Sequence, residues 1–327
     1  MKMEEGQRVY IIYDTDYRLT ELVAQAYANA LYDTRETTPY DFQYFDKTNQ
    51  DVVKQYVGKM KPKDLVVMIQ SASFRLDDYR YRIFLFRAGI KNIEHVHLSD
   101  TGVGNEEAYL KSLYLVPDDT TKSLAHGLKA RIDRAQHITV KCRGGTRLEY
   151  TGAMEPTLLN IGDYTGMKNV GGTFPIGEVF SESKDLATVN GELMVWGFPT
   201  MVKRLGIASE PFKLTIVNGI VTEVADNAPD EFRKTFAMLQ TEGEVPVREF
   251  GLGLNTAMGR WTPVSEVTAF ERQCGLHLSL GKKHTVYKKP GLSTKAGRFH
   301  IDVFADLETI EMDDQVVFAN DRFVVAE

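Results

Sequence analysis

The sequence predicts an α/β N-terminal domain built on a parallel sheet, followed by a β-rich α+β C-terminal domain. Three observations predict it. Strand-like and helix-like patterns alternate over residues 1–120. Beyond a helical pattern at about Thr121 to Ala135, short strands follow one another, separated by glycine, asparagine and aspartate. The 327 residues, 43% of them hydrophobic, are enough for two cores, at ~100–200 residues per domain. The expected division is 1–120 and 121–327.

Val9 to Tyr13 is a short apolar run ending at Asp14, and reads as the first strand. Leu22, Val23, Ala26, Tyr27, Ala30 and Leu31 then recur at helical spacing, predicting a helix over Leu19 to Leu31. Asp51 to Met60 is a second amphipathic helix, and Asp64 to Gln70 a buried strand followed by Ser71-Ala72-Ser73. Tyr79 to Gly89 reads as a helix with a glycine stop, and His95 to Leu98 as a short strand. Strands alternating with helices predict a parallel sheet flanked by helices. Asp14-Thr15-Asp16-Tyr17-Arg18 has the wrong composition for a phosphate loop. After the bridging helix, His137 to Val140 and Leu148 to Thr151 are strands around Gly144-Gly145. Leu214 to Val217 and Ile220 to Val224 flank Asn218-Gly219, a hairpin signal. Asp230 to Leu239 reads as a helix.

Composition excludes several classes. The net charge of -6 gives no basic footprint for nucleic acid. No apolar run approaches the ~20 residues of a membrane span, and MKMEEGQR lacks the apolar region of a secretory signal. Cys142 and Cys274 form no motif, which fits a reducing cytoplasm.

The chemistry concentrates late in the chain. His95 and His97 alternate on one predicted strand with no carboxylate cluster nearby, and read as surface or satisfied residues. In Arg298 to Phe304, His300 and Asp302 share one strand face while Phe299, Ile301 and Val303 share the other. His277 and Ser279 lie opposite Leu276, Leu278 and Leu280. Glu178 and Glu249 likewise sit at the edges of apolar strands with glycines close by. Charges go into such positions when they are paired or bind a metal. Two imidazoles and three carboxylates suit a pair of divalent ions. On residues alone, the other reading is polar side chains on exposed strand faces.

Gly177-Glu178-Val179-Phe180, Glu249 to Asn255, Gly275 to Gly281 and His300-Ile301-Asp302 resemble, in order and wording, the M29 family of metallo-aminopeptidases, the thermophilic aminopeptidase T type. Lys141 to Thr151 resembles the start of that family's metal-binding domain, so the resemblance covers roughly Thr121 to the C-terminus. It implies Glu178, Glu249, His277, His300 and Asp302 as metal ligands. It further implies two zinc, cobalt or manganese ions activating a water, a small peptide or amide substrate, and a homodimer. Two ions about 3.5–4 Å apart would lower the pKa of a bridging water and polarise the scissile carbonyl. Glu182 and Glu271 are the candidate proton carriers.

The chain departs from that pattern. Gly177 stands where many relatives have an acid, and His284 where aminopeptidase members have a tyrosine, with Tyr287 three residues on. The interval from His277 to His300 is short. His284, in Lys282-Lys283-His284, is either a catalytic acid or base or part of a solvated turn. The ring-cleaving 2,5-dihydroxypyridine dioxygenases look like the same fold and hold one Fe(II) in a facial triad of two histidines and an aspartate. By that resemblance, their first histidine falls at Glu249 and position 277 is not a ligand. His277, His300 and Asp302 would still make a facial triad by another route. The expected function is therefore an aminopeptidase-like hydrolase, with a mononuclear Fe(II) dioxygenase as the alternative and a non-catalytic relative as a third.

Overall fold

The computed structural model describes residues 6–32, 39–77, 79–102, 104–164, 171–283, 286–289, 292 and 297–324. The chain forms two compact units, one of residues 1–106 with 162–175 and the other of 107–161 with 176–327.

The first unit is built on a five-stranded sheet, in the order Gly171–Phe174, Lys91–His95, Leu65–Ile69, Val9–Tyr13, Tyr40–Tyr44. Every neighbouring pair is parallel. Leu65–Ile69 lies at its centre and is buried along its whole length, which explains its unbroken apolar run. Helices Arg18–Tyr32, Gln50–Val57 and Tyr81–Arg87 connect the strands. Tyr10, Ile12, Val66 and Met68 pack with Phe45, Phe74, Tyr81 and Leu85 into one core.

The strand expected at His95 to Leu98 lies earlier. Its length is set by pairing with Leu65–Ile69, which runs from Lys91 to His95. The backbone then turns, with His97 at φ 53° before the short helix Leu98–Thr101. His95 is buried against Phe174, its Nε2 3.1 Å from the Tyr27 hydroxyl. Burial pulls its pKa down to about 3, so the ring is neutral. Strands Tyr40–Tyr44 and Gly171–Phe174 carry no alternation strong enough to announce them in the sequence.

The second unit is dominated by a thirteen-stranded sheet whose pairings are antiparallel. The Asn218-Gly219 turn joins Leu205–Val217 to Ile220–Val224, both turn residues having positive φ. Helix Asp119–Arg134 is capped by Asp118, whose carboxylate accepts from the Thr121 N–H at 2.7 Å. It buries Thr121, Ala125, Leu128 and Ile132, the i, i+4, i+7, i+11 pattern of one helical face.

Four neighbouring strands of this sheet matter most: Glu178–Glu182, Val247–Gly253, Gly275–Leu280 and Ile301–Ala305. Val179, Phe250, Leu252, Leu276, Leu278, Leu280, Ile301 and Val303 project into the core. Each such side chain contributes about 1.5–3 kcal/mol by leaving water. Because strand side chains alternate, the opposite face receives Glu178, His277, Ser279 and Asp302. Core packing thereby fixes where the polar groups go.

Candidate metal centre

Register brings the donors together. Glu178 pairs with Gly253, Gly251 with His277, His277 with Phe304, and Ser279 with Asp302. Glu249 arrives by a different route. Val247 pairs with Leu280 but Phe250 with Leu278, so one extra residue is bulged between them. Bulges re-aim side chains. Here Arg248 is buried against Glu182, and Glu249 reaches His277.

Glycine makes the remaining room. A Cβ at Gly251 would stand 2.1 Å from His277 Nε2. Only a residue without a side chain lets the imidazole lie across that strand. A Cβ at Gly253 would meet the Gln273 carbonyl oxygen at 1.9 Å. Its absence admits the segment carrying Glu271 and Arg272, which Asn255 fastens by accepting the Cys274 N–H on its carbonyl and donating its own N–H to Arg272 O.

His277 is fully buried, its Nε2 3.2 Å from Glu249 Oε1 and 3.5 Å from Glu178 Oε1. One ligand atom from each of the three lies within 4.8 Å of the others. Its Nδ1 is buried and has no hydrogen-bond partner among the described residues. Removal from water lowers the imidazole pKa, but the two carboxylates outweigh it and hold it well above its usual value. The Arg272 guanidinium lies 3.1 Å from Glu178 Oε2 and also pairs with Glu271. Removal from water, reinforced by Asp302 and Glu178 and opposed by Arg272, holds the Glu271 carboxyl well above the usual range.

Asp302 is buried and accepts from the Ser279 hydroxyl. His300 precedes the strand and is 42% exposed, its Nε2 4.0 Å from Asp302 Oδ2. A cavity of about 250 Å³ opens here, lined by Glu178, Glu249, Glu271, Asp302, His300 and Lys283. All five expected ligands thus belong to one neighbourhood, three of them within bonding reach of a single ion. Glu271 lines the cavity. Glu182 does not: it is fully buried in an ion pair with Arg248. His284 lies outside the described residues. Sequence reasoning missed Arg248 and Arg272, whose signal was a cation directly beside Glu249 or Glu271 in otherwise apolar surroundings.

The donor set fits a divalent ion. Buried carboxylate oxygens and an imidazole suit iron, manganese or zinc, and the sheet reserves space for the ring at Gly251.

No family model matches the chain, and none of the curated proteins matches it. Among solved structures, it is similar to a 2,5-dihydroxypyridine dioxygenase from Pseudomonas putida KT2440. The TM-score is 0.62 at 15% identity, over 99% of this chain and 93% of that one. This finding overturns the M29 aminopeptidase expectation, and with it the hydrolase and metalloprotease assignment. The reason is physical. Much of the wording that carried the resemblance is set by sheet packing: Gly251 and Gly253 have no room for a side chain, and Leu276, Leu278 and Leu280 alternate into the core. Such wording reports a fold, not a reaction.

Proposed function

We propose that the chain is a metal-dependent oxidoreductase that opens hydroxylated aromatic rings with dioxygen. Glu178, Glu249 and His277 would hold one Fe(II), with Asp302 and His300 beside them. The observation that carries this reading is the three-donor cluster, set within a fold similar to that of a ring-cleaving enzyme. Fe(II) bound there would pass electrons from the ring to dioxygen, whose two oxygen atoms end in the opened product. The protein does the rest. Arg272 offsets part of the carboxylate charge, so that one divalent ion suffices. Phe180 lies on the cavity wall and offers a flat apolar surface to a ring. Glu271 is the carboxyl group placed to exchange a proton with a ring hydroxyl. Among the described residues no helix is long and apolar enough to cross a membrane, and Cys142 and Cys274 are free thiols. A cytoplasmic setting belongs to the same reading.

The test is anaerobic purification, metal analysis, then oxygen uptake with 2,5-dihydroxypyridine and other dihydroxylated rings. The reading expects one iron per chain and oxygen consumed in step with ring loss, both abolished in Glu249→Ala and His277→Ala. An iron-loaded protein inert towards the whole panel would overturn it. Failure to bind any metal would favour a non-catalytic relative.

A further inference from the structure

The carboxyl edge of the parallel sheet carries a serine, a histidine and an aspartate side by side. Strands Leu65–Ile69 and Lys91–His95 are parallel neighbours, so the segments that follow them leave from the same edge, where open α/β sheets bind ligands. Ser73 lies on the first segment and His97 on the second. Hydrogen bonds lace the two together. The Leu98 N–H donates to Gln70 O at 3.0 Å, and the Ser99 N–H and hydroxyl both donate to Ser71 O. Each flank of Ser73 is also tied down. Ser71 gives its N–H and hydroxyl to the buried Asp14 carboxylate at 2.9 and 2.8 Å, and the Phe74 N–H donates to Gln70 Oε1 at 2.7 Å.

On this frame Ser73 Oγ stands 3.1 Å from His97 Nε2, and His97 Nδ1 3.8 Å from Asp100 Oδ2. The two ring nitrogens thus face a hydroxyl and a carboxylate in the order that a serine nucleophile needs. The second distance is longer than a hydrogen bond, and such contacts are often loose before substrate arrives. His97 sits at φ 53°, a conformation uncommon for a residue with a side chain and concentrated at functional sites. The side chains of His97 and Asp100 are 29% and 34% exposed, so the group is open to substrate and water. The N–H groups of Ala72 and Ser73 have no acceptor among the described residues.

We propose that Ser73, His97 and Asp100 form a hydrolytic site for short-chain carboxylic esters. Ser73 Oγ bonds to the ester carbonyl carbon while its proton passes to His97 Nε2. The carbon–oxygen bond to the leaving group then breaks, and the alcohol departs with that proton. Water attacks the acyl-serine in turn, again giving a proton to Nε2, and the acid departs as Ser73 recovers it. The N–H groups of Ala72 and Ser73 are the donors left for the oxyanion. Asp100 is a positioning residue that holds the imidazole with Nδ1 protonated. An open edge grips little of a substrate, which favours small esters with good leaving groups. This chemistry is independent of the metal centre.

To test it, the whole protein is treated with a fluorophosphonate and the modified peptide mapped by mass spectrometry, with hydrolysis of p-nitrophenyl acetate followed alongside. Ser73 should take the label, and Ser73→Ala should lower hydrolysis at least about 100-fold. His97→Asn should do the same and also abolish labelling, although the serine remains. Asparagine tolerates the positive φ, so the turn survives the change. Asp100→Asn should lower kcat by about tenfold with KM unchanged, and Asp100→Glu should restore part of it. No label on Ser73 would overturn the proposal. So would labelling and hydrolysis that persist in His97→Asn, which would leave an ordinary serine hydroxyl beside a surface imidazole. An unchanged kcat in Asp100→Asn would overturn the place of Asp100 in the site.

Discussion

Gly251→Ala would add one methyl group beside His277. Its carbon would stand 2.1 Å from Nε2, 2.2 Å from Cε1 and 2.8 Å from Cδ2. Carbon contacts settle near ~3.5–4.0 Å, so the ring must retreat by more than about 1 Å. It has nowhere to go without loss: Phe304 occupies the paired position on the other side, and any tilt draws Nε2 off Glu249 and Glu178. Overpacking of this kind costs about 1–3 kcal/mol. For a unit of roughly 200 residues, that lowers the melting temperature by roughly 2–12 °C. Metal affinity should suffer more, since disturbing only a ligand's supporting contacts already costs about 10–100-fold. The assay is anaerobic calorimetric titration with Fe(II), or Co(II) as a spectroscopic substitute, beside thermal melts. Gly259→Ala is the control, because a Cβ there meets nothing within 4 Å. If Gly251→Ala binds metal like wild type, the imidazole is not the ligand and the site has been misread.

The other predictions follow from the same charges. Glu178 and Glu249 favour the protonated imidazole of His277 in the metal-free protein, and a metal must displace such a proton. Affinity should rise with pH, and titrations in buffers of different ionisation enthalpy should show one proton released. The same raised pKa stabilises the metal-free fold fully below the ordinary imidazole value near ~6.5, a contribution lost as pH rises towards the folded value. Urea midpoints should therefore fall across that window in wild type and stay flatter in His277→Asn. Arg248→Met should cost about 3–5 kcal/mol by stranding buried Glu182, and Arg248→Met/Glu182→Leu should recover much of it in chemical denaturation. Metal at about a hundredfold over its Kd should raise stability by about 2.7 kcal/mol, and His277→Ala should abolish that shift.

The parallel sheet was legible because its central strands are buried on both faces. Leu65 to Ile69 has no polar residue to mislead. The edge strand Tyr40–Tyr44 and the returning strand Gly171–Phe174 were not. Their residues are only partly covered, so partner strands rather than their own pattern define them. At the site, the donors that follow simple alternation, Glu178, His277 and Asp302, were legible as members of one strand face. Glu249 was found as a residue, but its direction depends on a bulge, which alternation does not encode. Arg272 could be noticed only as a cation beside Glu271, because a loop, not a strand, brings it to Glu178. Such a contact depends on Gly253 and Asn255 admitting that loop, residues read only as a motif.

Arg272 also bears on how many ions the ligand types call for. Three carboxylates and two imidazoles, counted without countercharge, call for two divalent ions. A buried guanidinium 3.1 Å from Glu178 already supplies positive charge. With Glu271 held above the usual carboxyl range, less negative charge is left than the ligand count implies, in keeping with the single ion proposed. Arg272→Gln makes that arithmetic testable. It keeps an amide near Glu178 while removing the charge, and should raise the affinity for a second equivalent of Co(II) in a spectroscopic titration. If the stoichiometry and affinity stay as in wild type, the guanidinium is a structural tie for the Glu271 segment, and the count of ions must be set by something other than local charge.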